Sequence, residues 1–371
     1  MIQRRAAPRV DTTPAVVPDA ARLAFTSYLR VVAMAAVVLV HSLSGLVTNE
    51  AIRGSAGWWI GVSLNRGVSW CVPLFIMVSG ALLLAPRPGE GAADFYRRRL
   101  SRIAIPLVVA HLGYLAVRAF LNHEALTVER VIGDVMTANV YTALYFFWII
   151  LGLYLVTPLL RPFMERYGPR GAMVLGTALL AWMWLVSVAV QALILVGRGA
   201  SPWKPEVLTL WLPYLGYFVL GYALRDLVLG RRGIVTALAL FAVAEAATVW
   251  QYVTHSDPVN LFLAGGYQGL PVAVSTVALF VIGRSLITPS ARLARPAWAG
   301  PMRTLGSLTL GVFMGHLLVL RFIWRTPGLT FGVTSSELPV ALLAWAIAVV
   351  VSFAACALIA RVPVARRLIG M

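Results

Sequence analysis

Charge is what this sequence has least of. Only 12% of its 371 residues are charged, with 14 acids against 31 bases, while 60% are hydrophobic. A mean hydropathy of +0.83 excludes a soluble domain. Cysteine is almost absent. Cys71 and Cys356 lie in or beside apolar runs, and two such residues form neither a disulfide framework nor a zinc site. Their expected role is packing. A metal site is not expected. The chain holds no Asn-x-Ser/Thr acceptor, P-loop, GxGxxG after a strand, HExxH or GxSxG elbow. These absences exclude the common ATPase, zinc-protease and serine-hydrolase signatures. No loop exceeds about twenty residues. A soluble catalytic domain has no room, so any chemistry lies inside the helices or at their faces.

What is present is a series of long apolar runs. Their near-twenty-residue length argues for helices rather than the ten-residue alternating strands of a barrel. The expected fold is therefore all-α and polytopic, with ten transmembrane helices. They fall near 24–47, 66–85, 102–121, 141–160, 171–196, 207–228, 233–254, 269–287, 304–324 and 339–361. Trp58 and Trp59 leave the start of the second open to an interfacial helix. With the N-terminus inside, 23 bases fall on inner segments and 8 on outer ones, so both termini are expected in the cytosol. The net charge of +17 follows this topology and does not imply nucleic acid. The domain reading is a disordered cytosolic tail over 1–22, a membrane domain over 23–365 and a short cytosolic tail over 366–371.

Arg30 and His41 stand at the two ends of one apolar run, YLRVVAMAAVVLVHS. Eleven residues at about 100° each return His41 to within roughly 20° of Arg30, some 16 Å further along one helix face. Arg30 suits equally a site cation and a snorkelling anchor. A neutral imidazole near mid-membrane suits a general base for a hydroxyl proton. In FYRRRLSRIAIP, Arg99 and Arg102 share a face at a helix start, a pattern for phosphate or for anionic lipid. Ser79 and Gly80 form a small face in the second span, where packing is the simpler reading. His316 lies in the ninth span with Gly311 and Gly315, and function and packing are both open. Glu245 is the one acid well inside an apolar run, either a proton carrier, a partner for a buried arginine or a protonated side chain. A secondary transporter or flippase for a glycan-related or acylated substrate also fits ten interrupted helices and a lone acid.

The ordered motifs add a resemblance. They are Arg30-x10-His41, Pro73-x-Phe75 with Ser79-Gly80, Arg99-x-x-Arg102, the Trp148, Tyr154 and Pro158 span, and Gly315 with His316. Together they resemble the acyltransferase 3 family of bacterial membrane enzymes from about 23 to 361, most of all its surface-polysaccharide O-acetyltransferase branch. The resemblance implies transfer of an acyl group, commonly acetyl from acetyl-CoA, to a hydroxyl of a surface or lipid-linked glycan. It implies His41 as the catalytic residue and Arg30, Arg99 and Arg102 as donor-binding residues. Ser79, Glu245 and His316 are candidates to line the site. Acyl-CoA is then a substrate, with no tightly bound cofactor. The expected partners are the acyl-CoA, the sugar acceptor and membrane lipids, and the expected location is the bacterial cytoplasmic membrane.

Overall fold

The computed structural model describes residues 23–87, 89–197, 206–254, 266–325 and 338–371, with 259, 261 and 263. The expected tail over 1–22 lies outside them. The described residues are helical, without a strand. The helices are α1 (Ala24–Val47), α2 (Ala56–Arg66), α3 (Cys71–Leu83), α4 (Ala92–Ala116), α5 (Val128–Met136) and α6 (Tyr145–Leu195). They continue as α7 (Leu215–Leu224), α8 (Arg231–Thr254), α9 (Leu270–Leu286), α10 (Pro296–Arg325) and α11 (Leu338–Ile359).

Seven stretches are long and apolar enough to cross a membrane. One of them is α6, whose 51 residues would reach about 76 Å if straight, over twice a bilayer's hydrocarbon core. It is two helices joined at Gly168, where φ is +58° and Pro169 follows. A positive φ there needs glycine, and proline cannot continue the preceding helix. That break falls between the expected fourth and fifth runs. The expected sixth and eighth runs appear as the shorter apolar helices Leu212–Leu224 and Leu270–Leu286. At about 15 Å, α7 alone is shorter than a bilayer's hydrocarbon core, and its residues from Gly216 to Leu224 are all buried. It is apolar all round because protein, not lipid, surrounds it.

The second run takes the alternative left open at Trp58 and Trp59. A separate helix, α2, precedes it, capped by Ser55 Oγ accepting from Trp58 N. Trp58 is buried and donates to the Val47 carbonyl, while Trp59 is exposed. The break at 67–70 comes before Pro73, so that proline sits in the first turn of α3 and bends nothing. The α4 helix begins ten residues earlier than its apolar run, because a charged first half needs no lipid.

The inner bundle depends on close backbone approach. A methyl group at Gly80 would lie 1.8 Å from the Phe218 carbonyl, and one at Gly221 1.9 Å from that of Met77. These two glycines let α3 and α7 touch backbone to backbone, the small-residue mode of helix association in membranes. Tyr114 Oη donates to Met314 O and joins α4 to α10, and Trp345 Nε1 donates to Ala35 O and joins α11 to α1. Cys71 and Cys356 are buried free thiols. Gly311 packs against Cys356 and Ile369, whereas Gly315 faces open space. The segment over 366–371 is not a free tail: Ile369 is buried, because its apolar side chain finds this seat on α10.

The turn between α3 and α4 is fastened by one acid. Glu90 Oε2 accepts from Arg161 at 2.7 Å, and Arg98 and Arg87 also pair with this carboxylate. Arg161 further donates to Leu83 O at 3.0 Å and lies over the Phe95 ring. Burial opposes ionisation of Glu90, but the Arg161 hydrogen bond and the neighbouring guanidinium charges outweigh it. Its carboxyl is held below the ordinary glutamate value of 4.5. A carboxyl with a lowered folded-state pKa stabilises above its unfolded value and loses that contribution as pH falls. Glu90→Gln is thus expected to cost about 3 kcal/mol at pH 7. Thermal melts of both proteins in detergent test this: the gap in midpoint should close as pH falls below about 4.5. A gap unchanged through acid would contradict the ion-pair account.

Candidate functional site

Arg30 and His41 reach the interior because α1 buries a face against α10. Ser27 lies against Gly306, and further along the His41 ring lies against His316. Contacts that advance together mean that α1 and α10 run in the same direction. The chain turns Arg30 toward α3, α4 and α6, where a cavity of about 410 Å³ opens. Arg30, Ser79, Arg99, Arg102, Tyr154 and Phe313 are among its walls, with Gly370 and Met371 from the chain's end. A helical spacing of three carries Arg99 and Arg102 to one face of α4, as expected.

These guanidiniums are unpaired. Among the described residues no carboxylate forms an ion pair with Arg30, Arg99 or Arg102. The acids at this end are taken by others: Glu90 by Arg87, Arg98 and Arg161, and Asp94 by Arg97. Arg99 and Arg102 also line a second, outer cleft of about 630 Å³ with Arg87, Arg98 and Ser101. The two arginines therefore stand where a surface cleft meets an interior cavity. An anion with several charges fits that junction, since guanidinium pairs bind phosphate oxygens by charge-assisted hydrogen bonds.

The inner end of the cavity is aromatic. Phe75 packs on Phe146 with centroids 5.9 Å apart, Phe146 on Phe313 at 4.8 Å, and Phe313 on His316 at 5.8 Å. His316 meets His41 at 5.3 Å. His316 is fully buried, and its Nδ1 donates to Phe313 O at 2.8 Å. That bond fixes the tautomer, leaving Nε2 as an acceptor, and Nε2 has no hydrogen-bond partner. The half-buried His41 ring has no hydrogen bond among the described residues.

The expected residues divide clearly. Arg30, Ser79, Arg99 and Arg102 share one cavity, and His41 and His316 form a pair just beyond its aromatic end. Ser79 Oγ is turned back to Phe75 O at 2.8 Å, so its hydroxyl is satisfied locally. Glu245 is not in the cavity walls. It lies on α8 beside Ser275 and Gly67, with Oε2 buried and unpartnered. The sequence reading overlooked His111 on α4. Its Nδ1 donates to Leu107 O and its Nε2 accepts from Trp148 Nε1, so both nitrogens are occupied, as in a packing histidine. Also overlooked was the role of Phe146 and Phe313, which periodicity cannot separate from ordinary core. A third cavity, about 550 Å³ between α6, α8 and α9, is walled almost wholly by apolar side chains and offers nothing to a charged ligand.

The family model for the acyltransferase 3 domain, described as an acyltransferase domain, matches residues 23–361, so the chain belongs to that family. No curated protein and no solved structure matches the chain.

The unpaired arginines make one ligand-independent prediction. Pyrophosphate, a probe with the charge of a nucleotide's phosphates, should raise the thermal midpoint of the purified protein. Arg99→Gln/Arg102→Gln should weaken its apparent affinity at least tenfold, about 1.4 kcal/mol. An unchanged midpoint shift would place the anion elsewhere.

Proposed function

We propose that this protein transfers an acetyl group from cytosolic acetyl-CoA to a hydroxyl of a surface or lipid-linked glycan. In this reading it crosses a bacterial cytoplasmic membrane ten times, with both termini in the cytosol. The observation that carries the reading is the cavity with three unpaired guanidiniums, leading through three phenylalanines to two facing histidines. Family membership supports acyl transfer, and in this reading the arginine cavity is the donor side and His41 the proton acceptor.

The phosphates of the donor bind at Arg99 and Arg102, with the nucleotide in the outer cleft and Arg30 deeper in the same cavity. The pantetheine arm follows the apolar walls toward Phe313. His41 takes the proton from the acceptor hydroxyl, whose oxygen attacks the thioester carbonyl. The C–O bond of the ester forms, the C–S bond breaks, and the proton passes from His41 to the departing CoA thiolate. His316 is a positioning residue. In this reading its bare Nε2 accepts an N–H from His41 and leaves the other His41 nitrogen free as base.

Purified His41→Ala should bind acetyl-CoA as the unaltered protein does and lose at least 10²-fold in acceptor-dependent release of CoA thiol. His316→Asn should lose less and shift the acid limb of the rate's pH profile. Full turnover by His41→Ala would overturn the assignment of the base. Movement of a labelled glycan across vesicles without thioester consumption would favour the transporter reading.

A further inference from the structure

The far end of α10 carries a site that the donor cavity does not explain. Leu317, Arg321, Trp324 and Arg325 recur at helical spacing on one face. With Tyr141 they line a cavity of about 310 Å³. That volume lies at the small end of ligand sites, roughly 300–1,000 Å³. Arg321 is fourteen residues beyond Ser307 of the donor cavity, about 21 Å along the helix axis, and five beyond His316, about 7.5 Å. The histidine pair thus lies between two cavities at opposite ends of one helix.

The chemistry of this cavity is unusual for its surroundings. Arg321 and Arg325 both reach the Leu121 carbonyl, at 3.3 and 3.4 Å, so their guanidiniums converge. Arg321 Nε is buried without a hydrogen-bond partner. Among the described residues neither arginine has an acidic partner, although other arginines outside the donor face do. Arg118 pairs with Glu124 and Asp134, Arg130 with Glu124, and Arg53 with Glu50. The cavity also offers two aromatic faces. Tyr141 is held by stacking on Tyr114 at 4.2 Å, and Trp324 stands beside the arginines. Apolar ring faces next to converging cations suit a sugar ring that carries an anion: the C–H face packs on the aromatic ring and the anion meets the guanidiniums.

We propose that this cavity is the acceptor subsite and that it selects an acidic sugar, one bearing a carboxylate or phosphate. The inference rests on the acyl-transfer reading for the word acceptor, but its binding chemistry stands on the cavity alone. Held by its anion at Arg321 and Arg325, the sugar presents a hydroxyl inward toward His41 and His316, while the donor arrives from the opposite end. The two substrates then meet at the histidines without sharing an entrance.

The test is equilibrium binding to the full chain in phosphatidylcholine nanodiscs, using trigalacturonate, glucose 1-phosphate and neutral maltotriose as probes. Acetyl-CoA binding is measured on the same samples. At least one anionic probe should bind ten or more times tighter than maltotriose. Arg321→Gln/Arg325→Gln should remove that preference and leave acetyl-CoA binding unchanged, while Arg321→Lys/Arg325→Lys should keep affinity within threefold. Equal affinity for acidic and neutral sugars, no binding of either anionic probe, or a preference surviving the Gln pair would overturn the proposal. So would a stabilisation by phosphatidylglycerol, lost in the Gln pair, with no anionic sugar bound, for the cavity would then hold a lipid headgroup. Anionic-sugar binding that depends on both arginines, in protein that fails to bind acetyl-CoA, would uphold the subsite and overturn the acyl-transfer reading instead.

Discussion

One carboxylate sorts the arginines of the donor face. Glu90 gathers Arg87, Arg98 and Arg161 at the turn between α3 and α4, and the Arg161 partner reaches it from α6. The buried pair is affordable only because Arg161 is also bonded to Leu83 O and set against Phe95. The consequence is positional. With α4 anchored at its start, Arg99 and Arg102 are left without an acid and turned toward Arg30. In so basic a protein, where acids are outnumbered, the acid that is present decides which cations remain available to a ligand.

A second constraint acts on the backbone. The crossing of α3 and α7 at Gly80 and Gly221 draws α3 inward, and Phe75 and Ser79 ride on that helix into the cavity wall. The α1–α10 contact does the same for the histidines. Lipid provides no hydrophobic force to hold such helices together, so close packing and side-chain bonds to carbonyls take that role. Tyr96 to Leu155 O, Tyr114 to Met314 O and Trp345 to Ala35 O each join two helices in this way. The scaffold of the polar site is nearly all helix, and Gly80 and Gly221 sit at its closest crossing.

Much of this was legible in the sequence, for physical reasons that apply to particular residues. The Arg30 to His41 spacing works because an eleven-residue step closes on the same helix face. Arg99 and Arg102 share a face by the same arithmetic, and Gly80 marked a close approach. The break at Gly168 was within reach, because the charged segment from Arg161 to Arg170 separates the fourth and fifth runs. Other features were out of reach. Hydropathy cannot separate α7, buried on all sides, from a helix that meets lipid. Contacts across 275 residues, such as His41 against His316, leave no local trace, nor does the loss of Glu245 from the cavity wall. The pairing state of an arginine is equally invisible: Arg98 and Arg99 are neighbours in sequence, yet only Arg98 meets Glu90.

The central claim is that the donor's acyl end lies at the histidine pair, reached from the arginine cavity. A CoA thioester whose acyl group carries a photoreactive diazirine tests it directly. After irradiation of the purified protein and proteolysis, mass spectrometry reads where the label sits. The account predicts label on α1 near His41 or on α10 near Phe313 and His316, suppressed by excess acetyl-CoA. Label confined to the apolar cavity between α6, α8 and α9, or unaffected by acetyl-CoA, would contradict it.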